Sequence, residues 1–187
     1  MAINLSSKLV NGVKGGVVGT LKGSADIGSA AIKMIKDFTV TSVKGVGELV
    51  STGISVPASI VSGAISGVSE LGVTVVKSVK GVVNGAIQGS VEAGIKQDEA
   101  VKGTVAQAIL SAKSLGLNVA DVAVEAVKGA VEGVKQVGGD SVSATKDAVV
   151  AALDSAKEVG DESLNSVRNA LSGSVEGVKD ILSEIKK

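Results

Sequence analysis

An eleven-residue period runs through almost the whole chain. Residues 162–172 match residues 173–183 column by column, and the register extends backwards by elevens to Lys8 with no insertion or deletion, which gives sixteen consecutive units. Position three of the unit is Val, Ile or Leu in fourteen units, and positions six, nine and ten are the other apolar positions. Eleven residues over three turns is about 3.67 residues per turn, which is a helical spacing, whereas a strand would need a period of two. The repeat therefore predicts an all-α chain.

The apolar positions share one broad helix face, and a strict eleven-residue repeat keeps that face nearly straight along the chain. We expect a long amphipathic helix, or several helices, built from sixteen eleven-residue (eight 22-residue) repeats, either extended, folded into a hairpin or packed as an extended bundle. The apolar residues are mostly Val and Ala, with one Phe and no Trp or Tyr, so no conventional globular core is expected. Each of the 25 Gly residues costs about 1 kcal/mol in a helix relative to Ala, so the helix needs an apolar partner surface.

The repeat also sets the predicted domain organisation. The chain divides into an N-terminal lead of residues 1–7, a repeat region of residues 8–183 and a C-terminal tail of residues 184–187. Within the repeat region, residues 8–95 form a basic, Gly-rich half and residues 96–183 an acidic, more Ala-rich half.

The two halves carry opposite net charge. Residues 1–95 hold eight basic and five acidic groups, a net charge of +3, and residues 96–187 hold eleven and fourteen, a net charge of −3. One interpretation is a solvated face whose sign drifts along the chain, since exposed charge pairs contribute little to stability. The other is side-by-side pairing of unlike halves, within one chain or between chains.

Glycine follows two patterns that bear on helix packing. Position ten alternates between Gly and Val over much of the repeat, so the true unit is two eleven-residue repeats long. A Gly once in each such 22-residue unit predicts a hinge or a notch for a neighbouring helix. The spacings Gly63–Gly67 and Gly81–Gly85–Gly89 permit close helix approach, although small residues also recur in any low-complexity repeat. The 22-residue series consists of Gly72, Gly94, Gly116, Gly138 and Gly160.

One stretch without charge, residues 49–69, is long enough to span a bilayer. It contains six Ser, one Thr, three Gly and Pro57, and it keeps the eleven-residue register. We interpret it as the most deeply placed part of the amphipathic face, with a kink at Pro57. The alternatives are a membrane span and a re-entrant hairpin that turns at Pro57.

Two sets of residues are the candidate functional positions. The apolar stripe, predicted to face lipid or another copy of the chain, is position three of the unit, and the headgroup-edge cations are position seven, at the border of the same face. The stripe consists of Val10, Leu21, Ile32, Val43, Ile54, Ile65, Val76, Ile87, Ile109, Val131, Val142, Leu153, Leu164 and Val175. The edge cations are Lys14, Lys36, Lys80, Lys102, Lys113, Lys135, Lys146, Lys157, Arg168 and Lys179.

The composition excludes several kinds of chemistry. The chain has no His and no Cys, which excludes histidine and cysteine catalysis and metal ligation by those side chains. Its formal net charge is zero, and no basic cluster or aromatic platform indicates nucleic-acid binding. We therefore expect a protein that is not an enzyme, with no catalytic, cofactor-binding or metal-binding residues, no cofactor and no nucleic-acid partner.

The repeat resembles that of a known class of lipid-surface proteins. Residues 79–94 (VKGVVNGAIQGSVEAG) and 125–139 (EAVKGAVEGVKQVGG) resemble the eleven-residue repeats of perilipins, and synucleins and exchangeable apolipoproteins carry similar units. The resemblance covers residues 8–183, and bacterial phasins, which coat polyester granules, form a related functional class. It implies a helix that folds on a lipid surface. The chain departs from apolipoproteins by having Pro57 as its one proline, and it is more apolar than synucleins.

Two functional hypotheses follow. In the first, the chain is a non-enzymatic, cytoplasmic and peripheral protein that reversibly coats a lipid droplet, a storage granule or a membrane. Its Val, Ile, Leu and Ala face lies at the lipid boundary, and its edge cations extend along that boundary to anionic headgroups. In the second, the same stripe packs between copies of the chain, and self-association gives a structural filament or scaffold.

Overall fold

The computed structural model describes residues 2–21, 27–45, 56–70 and 75–185. The described residues form nine α-helices: α1 (Ala2–Leu21), α2 (Ile27–Gly45), α3 (Val56–Glu70), α4 (Val75–Glu92), α5 (Gln97–Ser114), α6 (Val119–Gln136), α7 (Ser141–Val159), α8 (Asp161–Ser174) and α9 (Val178–Ile185). No strand occurs in these ranges, so the all-α prediction is confirmed. The helix α1 begins inside the predicted N-terminal lead.

The helices recur with a 22-residue period. The helices α4, α5 and α6 have 18 residues each, and four residues separate each of them from the next helix. The starts of α4, α5, α6 and α7, at Val75, Gln97, Val119 and Ser141, are spaced by that period. The structural unit is therefore one helix and one turn. Of the forms predicted, the long unbroken helix is wrong and the bundle of helices is right.

Three glycines of the 22-residue series end these helices. Gly94, Gly116 and Gly138 have φ of +95°, +66° and +73°, in the left-handed region where a β-carbon is disfavoured. The N–H of the residue after each glycine donates back five residues to a helix carbonyl, as Leu117 does to Ala112 at 2.9 Å. This is the Schellman arrangement, which satisfies carbonyls at a helix end. These glycines are neither a mid-helix hinge nor a notch for a neighbour.

Side-chain caps fix the start of two helices. The Asn118 carboxamide oxygen accepts from the N–H groups of Ala120 and Asp121 at the start of α6, and the Asp140 carboxylate does the same for Val142 and Ser143 in α7. Each cap satisfies N–H groups that have no intrahelical partner. Asn118 and Asp140 stand one unit apart, whereas Lys96, one unit before Asn118, makes no side-chain cap.

The helices form two layers. Each helix packs mainly against the next helix and the next but one, so α1, α3, α5, α7 and α9 line one layer and α2, α4, α6 and α8 line the other. The four-residue connections make consecutive helices antiparallel. Because each described helix contacts mainly its near neighbours, the described part of the chain is a linear helical repeat.

A continuous core lies between the layers, which corrects the expectation of no conventional core. It extends from Val13 in α1 to Leu182 in α9. Of the 41 buried hydrophobic residues in the described part of the chain, 33 are Val or Ala. Each side chain therefore buries little apolar area, and the packing is distributed over many small contacts.

The uncharged stretch is partly described, from Val56 onward. Pro57 is the second described residue of α3. The predicted kink at Pro57 depends on the residues before Val56, which lie outside the described part of the chain, so it stays a prediction. Residues 49–55 lie outside the described residues, so a hairpin there stays untested. None of the described helices combines the length and apolar character needed to cross a bilayer.

Candidate interaction surfaces

The predicted apolar stripe lies at two depths, because position three falls at different places in alternate units. In the first eleven residues of a unit it falls nearer the helix start, and in the second it falls further along. We call these positions the first and the second class. Five residues of the second class are buried: Val43, Ile65, Ile87, Ile109 and Leu153. In the first class, Val10, Ile32, Val76 and Leu164 are half-buried and Val142 is 79% exposed. Val131 and Val175 are exceptions in the second class, since both are half-buried. The side chains of Leu21 and Ile54 lie outside the described part.

Half of the predicted edge cations form ion pairs within the chain. Each joins a lysine to a carboxylate on the helix two places further on, in the same layer. The lysine side chains stay 30–58% exposed. The pairs, with Nζ–O distances, are Lys14–Glu70 (2.5 Å), Lys36–Glu92 (2.6 Å), Lys80–Glu132 (2.6 Å), Lys102–Asp147 (3.2 Å) and Lys146–Glu184 (3.2 Å).

These pairs correct the prediction that unlike halves of the chain pair with each other, and they leave open the prediction that the edge cations contact headgroups. Of the five, Lys80–Glu132 alone joins the basic half to the acidic half, so pairing of unlike halves is not the general arrangement within the chain. The other edge lysines, Lys113, Lys135, Lys157 and Lys179, are exposed. The Arg168 Nε is buried with no hydrogen-bond partner among the described residues.

Glycines bring the helices of one layer into backbone contact, as their spacing predicted. A β-carbon on Gly63 of α3 would lie 2.5 Å from the Val10 carbonyl oxygen in α1, and one on Gly85 of α4 would lie 2.5 Å from that of Ile32 in α2. Gly67 and Gly89, one turn further on, meet the carbonyls of Lys14 and Lys36. Only a residue without a side chain permits this approach.

A polar cluster between α4 and α6 was not predicted. The Gln88 Nε2 donates to the Asn84 Oδ1 at 2.6 Å and to the Gln136 Oε1 at 2.5 Å. Asn84 is fully buried, and its Nδ2 has no partner among the described residues. The available signal was the polar pair Asn84 and Gln88, spaced by four residues in an otherwise Val- and Gly-rich helix.

The N-terminal end of the repeat leaves a groove on α2. Its volume is about 790 Å³, and its apolar wall is formed by Ala30, Met34 and Phe38, all half-buried. Phe38 is the one aromatic residue of the sequence. The remaining lining residues are Thr20, Ser29, Lys33, Asp37, Thr41 and Ser42.

The comparisons with known proteins bear on the fold alone. No protein-family model and no curated protein sequence matches the chain. The chain is similar to the crystal structure of a de novo designed helical repeat protein, with a TM-score of 0.54 and 21% identity, covering 90% of this chain and 94% of that one. This likeness agrees with the linear packing of α1 to α9.

No metal site is formed by the described residues. Nowhere in residues 2–21, 27–45, 56–70 and 75–185 do three or more His, Cys, Asp or Glu side chains gather in a way that could hold a metal ion.

Proposed function

We propose that this chain is a non-enzymatic lipid-surface protein whose two-layer repeat opens, so that the apolar faces of its helices leave one another and contact lipid. The observation that carries the proposal is the composition of the core, in which 33 of 41 buried hydrophobic residues are Val or Ala. Any single helix interface then contributes little, and lipid can bury the same side chains equally well.

The charged groups at the helix interfaces do not oppose opening strongly. The five lysine–carboxylate pairs between neighbouring helices have half-exposed lysines, and pairs of this kind contribute about 0–1 kcal/mol. A lysine beside an anionic membrane gains about 1 kcal/mol. Anionic headgroups can therefore replace the carboxylates that the lysines leave.

The turns give the chain places to open. Gly94, Gly116 and Gly138 lie in four-residue connections between helices of 18 or 19 residues. A change of backbone angles at such glycines turns one helix away from the next without breaking either. The chain would then bind as a row of amphipathic helices, each with its buried face toward lipid.

A cross-link that holds two neighbouring helices of one layer together tests this proposal. The chain has no cysteine, so Lys80→Cys with Glu132→Cys places a unique pair on α4 and α6, where the native side chains meet at 2.6 Å. A cleavable bis-maleimide joins them. Flotation with phosphatidylcholine–phosphatidylserine vesicles then compares the cross-linked, cleaved and untreated forms.

We expect the cross-linked form to bind vesicles several-fold more weakly, and cleavage to restore binding. Glu125→Cys with Lys128→Cys is the matched control, because that pair lies within α6, three residues apart, and its cross-link holds no two helices together. Equal binding by the locked and unlocked α4–α6 forms, or no binding by the unlocked form, contradicts the proposal.

A further inference from the structure

The free face of α2 repeats a surface that the chain buries elsewhere. Met34 lies about 200° around α2 from Ile32, whose carbonyl meets α4, so the α2 groove is on the side away from α4. Two repeat units further on, Met34, Phe38 and Thr41 correspond to Ser78, Val82 and Gly85. All three are buried in α4, with Gly85 against α2. On α2 the same face lines the groove, and no helix of the same layer precedes α2 among the described residues.

From this register we infer that copies of the chain associate head to tail, with the C-terminal end of one copy seated on the α2 groove of the next. A helix of this repeat covers the corresponding face of α4, so a helix of a second copy has the matching shape and spacing. The inference goes beyond lipid binding and requires no lipid.

The charges of the two ends favour this partner. Outside the ion pairs described above, α1 and α2 carry Lys8, Lys33, Lys44 and Asp37, a net charge of +2. Residues 161–185 carry four unpaired carboxylates against Arg168 and Lys179, and Lys186 and Lys187 bring the sum for residues 161–187, without the paired Glu184, to zero. A head-to-head contact would bring two positive ends together, whereas a head-to-tail contact would not, so the charge pattern favours head-to-tail association.

Arg168 supplies a specific contact. Lys14, Lys36, Lys80, Lys102 and Lys146 stand at the same position of the 22-residue unit as Arg168, and each of those lysines pairs with a carboxylate two helices further on. Arg168 lies on α8, the last described helix of its layer, and forms no ion pair among the described residues. Asp37 is exposed in the α2 groove. The geometry points to an ion pair between Arg168 of one copy and Asp37 of the next.

The two surfaces are different, so the contact does not close on itself. Each added copy leaves a free groove at one end and a free α8 at the other. Such heterologous contacts produce open chains of copies.

Sedimentation velocity in lipid-free, low-salt buffer tests the inference. We expect the unmodified protein to form a concentration-dependent series of oligomers that shrinks as salt is added. Met34→Glu with Phe38→Glu blocks the groove, and Arg168→Glu blocks the α8 end. Each variant alone should sediment as a monomer, and a mixture of the two should give a 1:1 dimer and nothing larger. Lys157→Glu, the matched charge change on an exposed lysine of α7, should assemble normally.

A charge exchange tests the ion pair itself and guards against misfolding. Asp37→Arg should prevent assembly, and Asp37→Arg combined with Arg168→Glu in one chain should restore it. Three results overturn the inference: a monomeric unmodified protein at every concentration, closed dimers that the groove and Arg168 variants leave unchanged, or groove variants that lose vesicle binding while the unmodified protein stays monomeric. Because no lipid is present in the assembly assay, its failure leaves the vesicle experiment standing.

Discussion

The carbonyl oxygen of Ile32 in α2 occupies the space beside Gly85 of α4 that a side chain would need. A β-carbon on Gly85 would lie 2.5 Å from that oxygen and 3.1 Å from the Ile35 β-carbon. The oxygen is part of the α2 backbone, and the β-carbon is bonded directly to it. Neither atom can therefore move aside unless α2 moves. The separation of α2 from α4 is therefore set by the absence of a side chain at Gly85.

Gly85→Ala should destabilise the fold, by about 1–3 kcal/mol as is typical of overpacking. The matched control is Gly16→Ala in α1, where no atom lies within 4 Å of the added β-carbon. That change should stabilise the protein by up to about 1 kcal/mol through helix propensity. Thermal melts followed by circular dichroism measure both. A stabilising Gly85→Ala would show that α2 and α4 are not in backbone contact.

Asn84→Ala should leave stability nearly unchanged, within about 1 kcal/mol, or raise it. The reason is that the Asn84 Nδ2 is buried without a described partner, and such a donor costs about 1–3 kcal/mol. Gln88 keeps its hydrogen bond to Gln136. Ile87→Ala, at the neighbouring buried position, should cost about 2–5 kcal/mol. Urea unfolding compares the two, and an equal loss from both would mean that the Asn84 side chain contributes favourably.

Removal of one whole 22-residue unit should be tolerated better than removal of half a unit. Deleting residues 119–140 removes α6 with its turn and leaves Asn118 in front of α7, in the capping place of Asp140. Deleting residues 130–140 removes fewer residues but fuses the remainder of α6 to α7 without a turn. We expect a cooperative melt for the first deletion and a broad one for the second. The reverse ranking would contradict the helix-and-turn unit.

The sequence predicts the period, the helices and the close-contact glycines, but not where each helix ends. Gly116 shows why: a glycine once in each 22-residue unit is compatible with a hinge, a notch or a helix terminus, and tertiary packing decides among them. The eleven-residue register continues across the turns because one helix such as α5, with 18 residues, and its four-residue turn together restore the same position of the unit. A continuous helix over the same 22 residues also returns to the same position of the unit.

The partners of the lysines could not be predicted for a related reason. The sequence separation within an ion pair falls from 56 residues for Lys14 and Glu70 to 38 for Lys146 and Glu184. These separations depend on which helices become neighbours, which the local pattern does not contain. The depth of the stripe has the same origin, since Ile109 is buried and Val142 is 79% exposed although both occupy position three.

The unpaired edge lysines should matter for lipid binding and little for stability. Replacing Lys113, Lys135 and Lys157 together by Gln should weaken binding to anionic vesicles about tenfold or more, since each lysine near such a surface contributes about 1 kcal/mol. Their exposure keeps the melting temperature close to that of the unmodified protein. A triple change of Lys33, Lys77 and Lys96 to Gln is the matched control. It alters the net charge by the same amount, and these three lysines lie off the edge position. Equal weakening by both triples would show that net charge alone attracts the protein.

The distance between α2 and α4 on a lipid surface tests the opening of the repeat most directly. Spin labels on Lys36→Cys and Glu92→Cys replace side chains that meet at 2.6 Å in the closed form. In buffer, pulsed electron paramagnetic resonance should give a short mean distance between the labels, with a narrow distribution. On vesicles the short distance should disappear, and an unbroken helix between the two positions would approach about 84 Å at 1.5 Å per residue. A short distance that persists in fully vesicle-bound protein would contradict opening and would mean that any binding uses the closed form.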